Sequence, residues 1–307
     1  MLSVRERVWD AGRPVDVTGT LAPLRRGAGD PAHRVDAAGT FWWACATPGG
    51  DGALALSAAS RTCVTARAWG DGAQWLLDRV PHLLGADDSW SSLDLAGHPL
   101  LREVLRRRPG LRLPATGLVL DALVPAVLEQ RVTGGDARRA WRHLLRRFGT
   151  PAPGPAVAAG MHVPPSPRAL LDIPSWSWHQ LGVDARRQRA VRAAATVAGR
   201  LEECSAMESS AAIARLRVVP GVGAWTAAET VQRALGDPDA VSVGDYHLKD
   251  LVVHFFTGRP RGDDDEMLRL LEPWTGHRQR VVRLIEVSGV GKPRFGPRFA
   301  PVDIRAI

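Results

Sequence analysis

Apolar and polar residues follow two different patterns along this chain, and the change comes near residue 86. Before it, short apolar runs are separated by Gly, Pro and Asp clusters, and one of them, Cys63–Trp69, partly alternates between apolar and polar positions. Such runs are typical of strands in an antiparallel sheet. The predicted strands are residues 15–21, 41–45, 52–56 and 63–69, followed by a helix over residues 73–80.

From residue 87 onward the apolar spacing is helical, with Pro or Gly after some of the runs, as at Pro109 and Gly110. We therefore predict an α+β protein: an antiparallel sheet domain with a helix (1–86), a two-lobed helical domain (87–288) and a basic tail (289–307). The predicted helices span residues 94–107, 121–130, 136–148, 184–201, 211–217, 224–235, 246–256 and 274–287. The Pro/Gly/Ala-rich residues 150–167 are predicted to be a loop or linker.

A glycine hairpin, Pro-Gly-Val-Gly at residues 220–223, joins two of these helices. Glycine lets the backbone turn sharply and approach a ligand closely. Free backbone N–H groups at the start of the second helix then form a phosphate-binding site. The residues predicted to bind DNA there are Gly221, Val222, Gly223 and Thr226. About twenty residues later, Asp245 opens the next helical run.

Charge and cysteine content narrow the function classes. The net charge is +8 and the isoelectric point about 10.6, which suits a nucleic-acid partner. A composition rich in Arg, Ala, Gly and Pro also follows from a GC-rich genome, so charge alone does not decide. Cys45, Cys63 and Cys204 have no zinc or iron–sulfur spacing. We expect no metal and no membrane span, and a monomer in the cytoplasm, associated with the nucleoid.

Several segments, in order and spacing, resemble the bacterial 3-methyladenine DNA glycosylase II family of helix-hairpin-helix DNA glycosylases. The segments are RPGLRLP (108–114), LEQRVT (128–133), LGV (181–183), PGVGAWTA (220–227) and VGDY (243–246). The resemblance covers most of the chain and is weakest before residue 87 and after residue 289. It implies an active cleft between two helical lobes and double-stranded DNA with damaged bases as partner. It also implies flipping and hydrolytic excision of a damaged, alkylated purine in base excision repair.

Asp245 fits the chemistry of that reaction. A base in a duplex must be extruded before its sugar can be reached. Breaking the N-glycosidic bond leaves positive charge on the sugar, which one fixed carboxylate stabilises while orienting a water molecule. The alternative role of Asp245 is to cap the following helix, and the two roles are compatible.

Trp225 stands where related bifunctional enzymes carry the lysine that forms a Schiff base. Tryptophan forms no imine, so the resemblance implies a monofunctional enzyme without lyase activity. Alternatively, Trp225 packs the helix after the hairpin into the core. Lys249 lies one helical turn after Asp245. We expect it to contact a phosphate or to pair with Asp245.

Gln130 and Arg131 fall where the family places residues that fill the hole left by the flipped nucleotide. Family members often have an apolar wedge just after the Gln, and here that position is Arg131. An arginine can stack and hydrogen-bond in the gap, or it can hold a phosphate.

The predicted base pocket departs from the family at Glu229 and Arg283, where the resemblance implies aromatic side chains. Aromatic faces bind cationic alkylated purines by cation–π attraction. Glu229 would still attract a cationic base, whereas Arg283 opposes one unless it faces DNA or pairs with Glu229. No cofactor is expected, although the resemblance implies a monovalent cation on the hairpin carbonyls.

Two alternatives to an alkylpurine glycosylase stay open. One is a DNA protein that binds damage without turnover, which the intact Asp245 argues against. The other is a glycosylase for a different lesion, such as a deaminated or bulky alkylated purine.

Overall fold

Five antiparallel strands form a sheet near the start of the chain, in the order β1-β5-β4-β3-β2. The strands are β1 (Arg5–Asp10), β2 (His33–Val35), β3 (Phe41–Thr47), β4 (Gly50–Ala58) and β5 (Cys63–Trp69). This computed structural model describes residues 4–291, so most of the predicted tail lies outside the described residues. The three strands predicted between residues 41 and 69 are confirmed.

The strand predicted at residues 15–21 is wrong: this segment forms a short helix, α1 (Val17–Leu21). The side chain of Asp16 caps α1 by accepting a hydrogen bond from the backbone N–H of Gly19 at 2.8 Å. An Asp at this position satisfies an N–H group that otherwise has no partner in a first helical turn. That local bond outweighs the alternating pattern of the segment.

The rest of the described chain is mainly helical. The further helices are α2 (Ala73–Leu83), α3 (Pro99–Arg107), α4 (Val119–Leu128), α5 (Gly134–Phe148), α6 (Pro167–Asp172), α7 (Ser175–Gln180), α8 (Ala185–Thr196), α9 (Ala198–Glu202), α10 (Ser209–Val218), α11 (Ala224–Ala234), α12 (Leu248–Thr257), α13 (Asp264–Leu271) and α14 (Arg278–Val287). Short 3-10 helices occur at Ala22–Leu24, Gly154–Ala159, Glu203–Ala206 and Glu272–Trp274. Within residues 4–291, every helix is too short or too polar to cross a bilayer.

Two separate hydrophobic cores divide the helices into lobes. The larger core is built from α4, α5, α8, α10 and α11, with α4 buried along nearly its whole length. The smaller core joins α3 to α12, α13 and α14. The fold is therefore α+β, as predicted, with a small antiparallel sheet and two helical lobes.

The sheet has its own core on one face and packs on the helical region with the other. One face packs on α2 through residues such as Trp43 and Leu56. The other face packs on residues 150–163, which form the strand pair β6 (Thr150–Pro151) and β7 (His162–Val163) and a 3-10 helix. The segment predicted to be a loop thus covers the sheet, because its small residues Ala152 and Ala156 fit closely against the strands.

Candidate active site

The glycine hairpin joins α10 to α11 and its two glycines differ in their surroundings. Gly221 has φ +89°, and a Cβ there would lie 2.7 Å from the Cβ of Ala190 on α8, so the fold itself requires glycine. Gly223 has extended backbone (φ −96°, ψ −175°), and a Cβ there would meet nothing within 4 Å. Packing therefore does not require glycine at residue 223. The space beside this residue, at the exposed start of α11, is open.

Gln130 connects the hairpin to the turn after α4. Its Nε2 donates to the carbonyl oxygen of Gly221 at 2.9 Å and to Oγ1 of Thr226 at 2.8 Å. The side chains of Thr226 and Val222 are buried, at 2% and 6% exposure. These two predicted DNA contacts therefore have only backbone groups to offer a phosphate. The sequence did not indicate this bond, because its partners lie 96 residues apart.

Arg131 is the only non-glycine residue with positive φ (55°) among residues 4–291, and it is exposed. The left-handed conformation costs an L-amino acid roughly 1–2 kcal/mol. Strain of this kind persists where surrounding contacts impose it, and it is concentrated at functional sites. Arg131 is thus exposed and directly follows Gln130, which bonds to the hairpin.

Asp245 lies half-buried before α12 and all three of its nearest donors are N–H groups. Its Oδ1 accepts from the backbone N–H groups of His247 (2.7 Å) and Leu248 (2.9 Å), as expected for a helix cap. Its Oδ2 accepts from the indole Nε1–H of Trp225 at 3.0 Å. Lys249 donates to the backbone carbonyl of Asp245 at 3.2 Å, so it is not an ion-pair partner of the carboxylate.

A cavity of about 240 Å³ opens beside Asp245, at the junction of α11, α12 and α14. Glu229 and Arg283 line it, whereas Trp225 lies against Asp245 rather than among the lining residues. Among the described lining residues, His247 is the only one with an aromatic ring. The cavity therefore offers hydrogen-bonding groups in place of the aromatic walls that the resemblance implies.

The charged groups of this cavity pair within their own helices. Glu229 pairs with Arg233 at 2.8 Å and accepts from Oγ of Ser242 at 2.5 Å. Arg283 pairs with Glu286, so the pair between Glu229 and Arg283 does not form. Within residues 4–291, Asp245 is the lining carboxylate with no arginine or lysine on its oxygens.

Two buried atoms beside the cavity have no hydrogen-bond partner, the Oε1 of Gln279 and the Nε of Arg283. Both residues are more than 90% buried, with exposures of 6% and 8%. A buried polar atom without a partner is costly, and such atoms often mark a binding site. Gln279, Gln232 and Arg233 were missed by sequence reasoning; only Arg233, four residues after Glu229, had a helical spacing that indicated its pairing.

No protein-family model matches the chain. A Mycobacterium tuberculosis protein described as a probable bifunctional transcriptional activator/DNA repair enzyme AlkA is 33% identical over 159 residues, which are 50% of this chain and 31% of that protein. The chain thus spans about a third of the length of the curated relatives it matches.

Solved structures share the fold over nearly the whole chain. A 3-methyladenine DNA glycosylase from Archaeoglobus fulgidus matches with a TM-score of 0.78 and 16% identity, over 92% of this chain and 98% of that one. An 8-oxoguanine glycosylase/lyase from Clostridium acetobutylicum, in complex with double-stranded DNA, matches with a TM-score of 0.68 and 9% identity, over 94% and 96%. Over half of its length this chain is thus related in sequence to the AlkA protein, and it has the fold that these two DNA glycosylase structures share.

Proposed function

We propose that this chain is a DNA glycosylase that flips a damaged purine out of the duplex and hydrolyses its N-glycosidic bond. The observation that carries the proposal is Asp245, a carboxylate held by three N–H donors at a cavity large enough for a base. The hairpin leads into α11, which lines this cavity, and Gln130, the residue before Arg131, bonds to the hairpin. This arrangement supplies the parts that base excision requires: a DNA grip, a group to fill the gap, and a carboxylate.

In the proposed reaction, the bond between the base nitrogen and C1′ of the sugar breaks while a water oxygen bonds to C1′. Asp245 faces the positive charge that develops on the sugar and orients the water, whose proton passes to the carboxylate or to the departing base. The three N–H donors fix the carboxylate in place before the reaction. The products are the free base and an intact abasic site.

The lack of an amine at residue 225 supports hydrolysis without strand cleavage, because Trp225 has no nucleophilic nitrogen for a Schiff base.

The hairpin also suits a monovalent cation. The carbonyl oxygens of Val219 and Gly221 each accept one hydrogen bond, from Val222 and Gln130, and keep a second lone pair. Such a cation would add positive charge beside a bound phosphate.

An excision assay on duplexes that each contain one damaged purine tests the proposal. We expect base release by the wild-type protein, an abasic product that is cut only after alkali treatment, and release by Asp245→Asn that is slower by about 10²-fold or more. Binding to damaged DNA without release of any base would show instead a protein that recognises damage without turnover.

For the lesion itself, the cavity favours a second candidate beside the alkylated purines, namely a neutral purine with altered hydrogen-bonding groups. Cation–π attraction needs aromatic faces, and the described lining offers none beyond His247. The lining instead carries Gln232, Gln279 and Ser242, and a polar site of this kind rejects a base that leaves its groups unpaired.

A paired comparison separates the two lesion classes. Single-turnover rates are measured on duplexes with a cationic 7-methylpurine and on duplexes with hypoxanthine or 8-oxoguanine, for the wild type and for Gln279→Leu. If the lesion is neutral, Gln279→Leu loses activity on it but not on the cationic base. A wild type that excises only the cationic base would restore the alkylpurine assignment.

A further inference from the structure

One short part of the amino-terminal unit, residues 19–26, contacts three separate parts of the candidate site. We call residues 19–26 the bridging segment. By packing it belongs to the sheet unit, because Leu21 and Leu24 are buried in the core beneath the sheet, at 0% and 5% exposure. The carbonyl groups of Gly19 and Pro23 and the side chain of Arg26 nevertheless contact the helical region.

Two of the contacts reach the arginines of the base cavity. The carbonyl of Pro23 accepts from Nε of Arg233 at 3.0 Å, and the carbonyl of Gly19 accepts from Nη2 of Arg283 at 3.3 Å. Pro23 itself lines the cavity. The bridging segment therefore forms part of the wall of the cavity and fixes the arginines that neutralise its carboxylates.

The third contact reaches the turn that presents Arg131. Nη1 of Arg26 lies 3.0 Å and 3.1 Å from the two carboxylate oxygens of Glu129, the residue directly before Gln130. Arg26 is 8% exposed, and burial lowers the pKa of its guanidinium while Glu129 opposes that change. A buried pair of this kind depends on both partners, because removing one leaves the other charge uncompensated.

The backbone of Arg26 is held by a hydrogen bond to Asp30. Its backbone N–H donates to Oδ2 of Asp30 at 2.6 Å, and Oδ1 of Asp30 accepts from the indole of Trp141 on α5 at 2.9 Å. The sheet unit, α5 and the turn 129–131 are thus joined by one buried chain of polar contacts. The bond from Arg26 to the turn 129–131 is made through Glu129, while the charges of Arg233 and Glu229 in the cavity lining also act on its guanidinium.

We propose that Arg26 is a positioning residue for base flipping: through Glu129 it holds the turn 129–131 so that Gln130 and Arg131 fill the gap in the duplex. This rests on the proposed function. The sheet unit then has a defined part in recognition, because its bridging segment sets the position of the gap-filling turn. Loss of the contact is expected to slow extrusion of the base and to leave the step at Asp245 intact.

The test compares single-turnover excision of one lesion in a normal pair and in a mispair, for the wild type, Arg26→Ala, Arg131→Ala and their double variant. A mispaired base is easier to extrude. Arg26→Ala is expected to lose on the order of ten- to a hundredfold on the paired lesion and much less on the mispaired one, as Arg131→Ala does. The double variant is expected to be no worse than the worse single variant.

Two further variants keep the test independent of general unfolding. Glu129→Gln removes the same ion pair from a residue that is 25% exposed, and should reproduce the difference between paired and mispaired substrates. Arg34→Ala removes an exposed arginine of β2 that bonds to the carbonyl of Ala159, and should change neither rate. Equal losses on both substrates for Arg26→Ala and Glu129→Gln would overturn the positioning role.

A measurement without catalysis separates this proposal from the proposed function. Hydrogen exchange of the backbone at residues 128–133 should be faster in Arg26→Ala than in the wild type, while α12 is unchanged. An unchanged turn would overturn the positioning role even in an active enzyme. Absence of excision by the wild type on every lesion would overturn the proposed function, and the exchange experiment would still decide whether Arg26 holds the turn.

Discussion

The indole Nε1–H of Trp225 donates to Oδ2 of Asp245 at 3.0 Å, which joins the first turn of α11 to the residue that opens α12. Oδ1 is already occupied by the two backbone N–H groups of α12. Each oxygen of the carboxylate is thus held by a donor from a different helix. Trp225, which the sequence resemblance places at the position of a Schiff-base lysine, therefore contacts the proposed catalytic group directly.

Asp245→Asn should lower the rate of base release by about 10²–10³-fold or more, because the neutral amide no longer stabilises positive charge on the sugar. Asn keeps an acceptor for the two N–H groups of α12 but turns an NH2 donor toward the indole N–H of Trp225. DNA affinity should therefore change little, and stability should fall by about 1 kcal/mol. Trp225→Phe is the matched control: it removes one donor but keeps the carboxylate, and should lose less. Wild-type turnover by Asp245→Asn in single-turnover assays would refute the mechanism.

Borohydride should trap no covalent complex between the protein and DNA. Among residues 4–291 the lysine amine is Nζ of Lys249, which donates to the backbone carbonyl of Asp245 at 3.2 Å and lies 5.6 Å from the ring centre of Tyr246. An amine that is held on a backbone carbonyl is a poor nucleophile. The check is a denaturing gel after reduction, and a trapped band that disappears in Lys249→Ala would establish lyase chemistry.

Gly223→Asp should weaken DNA binding without weakening the fold. Residue 223 is the N-cap of α11, its backbone suits any residue, and Asp is a favoured N-cap. The melting temperature should stay unchanged or rise. The new negative charge should repel a phosphate and so lower the affinity for damaged and undamaged DNA alike. Gly223→Ala, which meets no atom within 4 Å, should keep both properties. Anisotropy titrations that give equal affinities for the Asp and Ala variants would place the phosphate elsewhere.

Asp121→Asn should stabilise the protein at neutral pH. Burial, together with Asp30 and Glu202 nearby, raises the pKa of Asp121 to about 6. The unfolded chain ionises this group first, near pH 4, so its contribution to the free energy of unfolding falls as pH rises from about 4 to about 6. Urea unfolding at pH 7.5 should show a gain on the order of 2 kcal/mol for the variant. The gain should vanish near pH 4; a gain of the same size at both pH values would assign it to packing.

Strands and helices with a clear pattern of apolar residues could be predicted from the sequence. Strands whose pairing depends on their place at the edge of the sheet could not. The central strands β3, β4 and β5 carry apolar runs, whereas the edge strands β1 and β2 carry charged residues such as Arg5 and Glu6 and were not predicted. Edge strands tolerate charge because one side faces solvent, and charge there also discourages aggregation. No alternating pattern therefore marks them.

In the candidate site, single residues could be predicted from the sequence, whereas the hydrogen bonds between them could not. Asp245, the hairpin and the two unusual cavity residues could be named because short motifs mark them. The bonds that organise them join distant segments: Gln130 to Thr226 spans 96 residues, and Arg26 to Glu129 spans 103. No local sequence pattern encodes such pairs, so the positioning of the site becomes visible only when the chain is folded.

The contrast between the two hairpin glycines also has an evolutionary consequence. Packing against Ala190 holds residue 221 as glycine in any descendant that keeps this fold, whether or not it still meets DNA. Residue 223 has no such constraint, so only selection for a ligand would keep it small and uncharged. A lineage that lost DNA contact while keeping the fold should therefore retain Gly221 and accumulate other side chains at 223. Variation at this one position across natural sequences would record where the ancestral activity has lapsed.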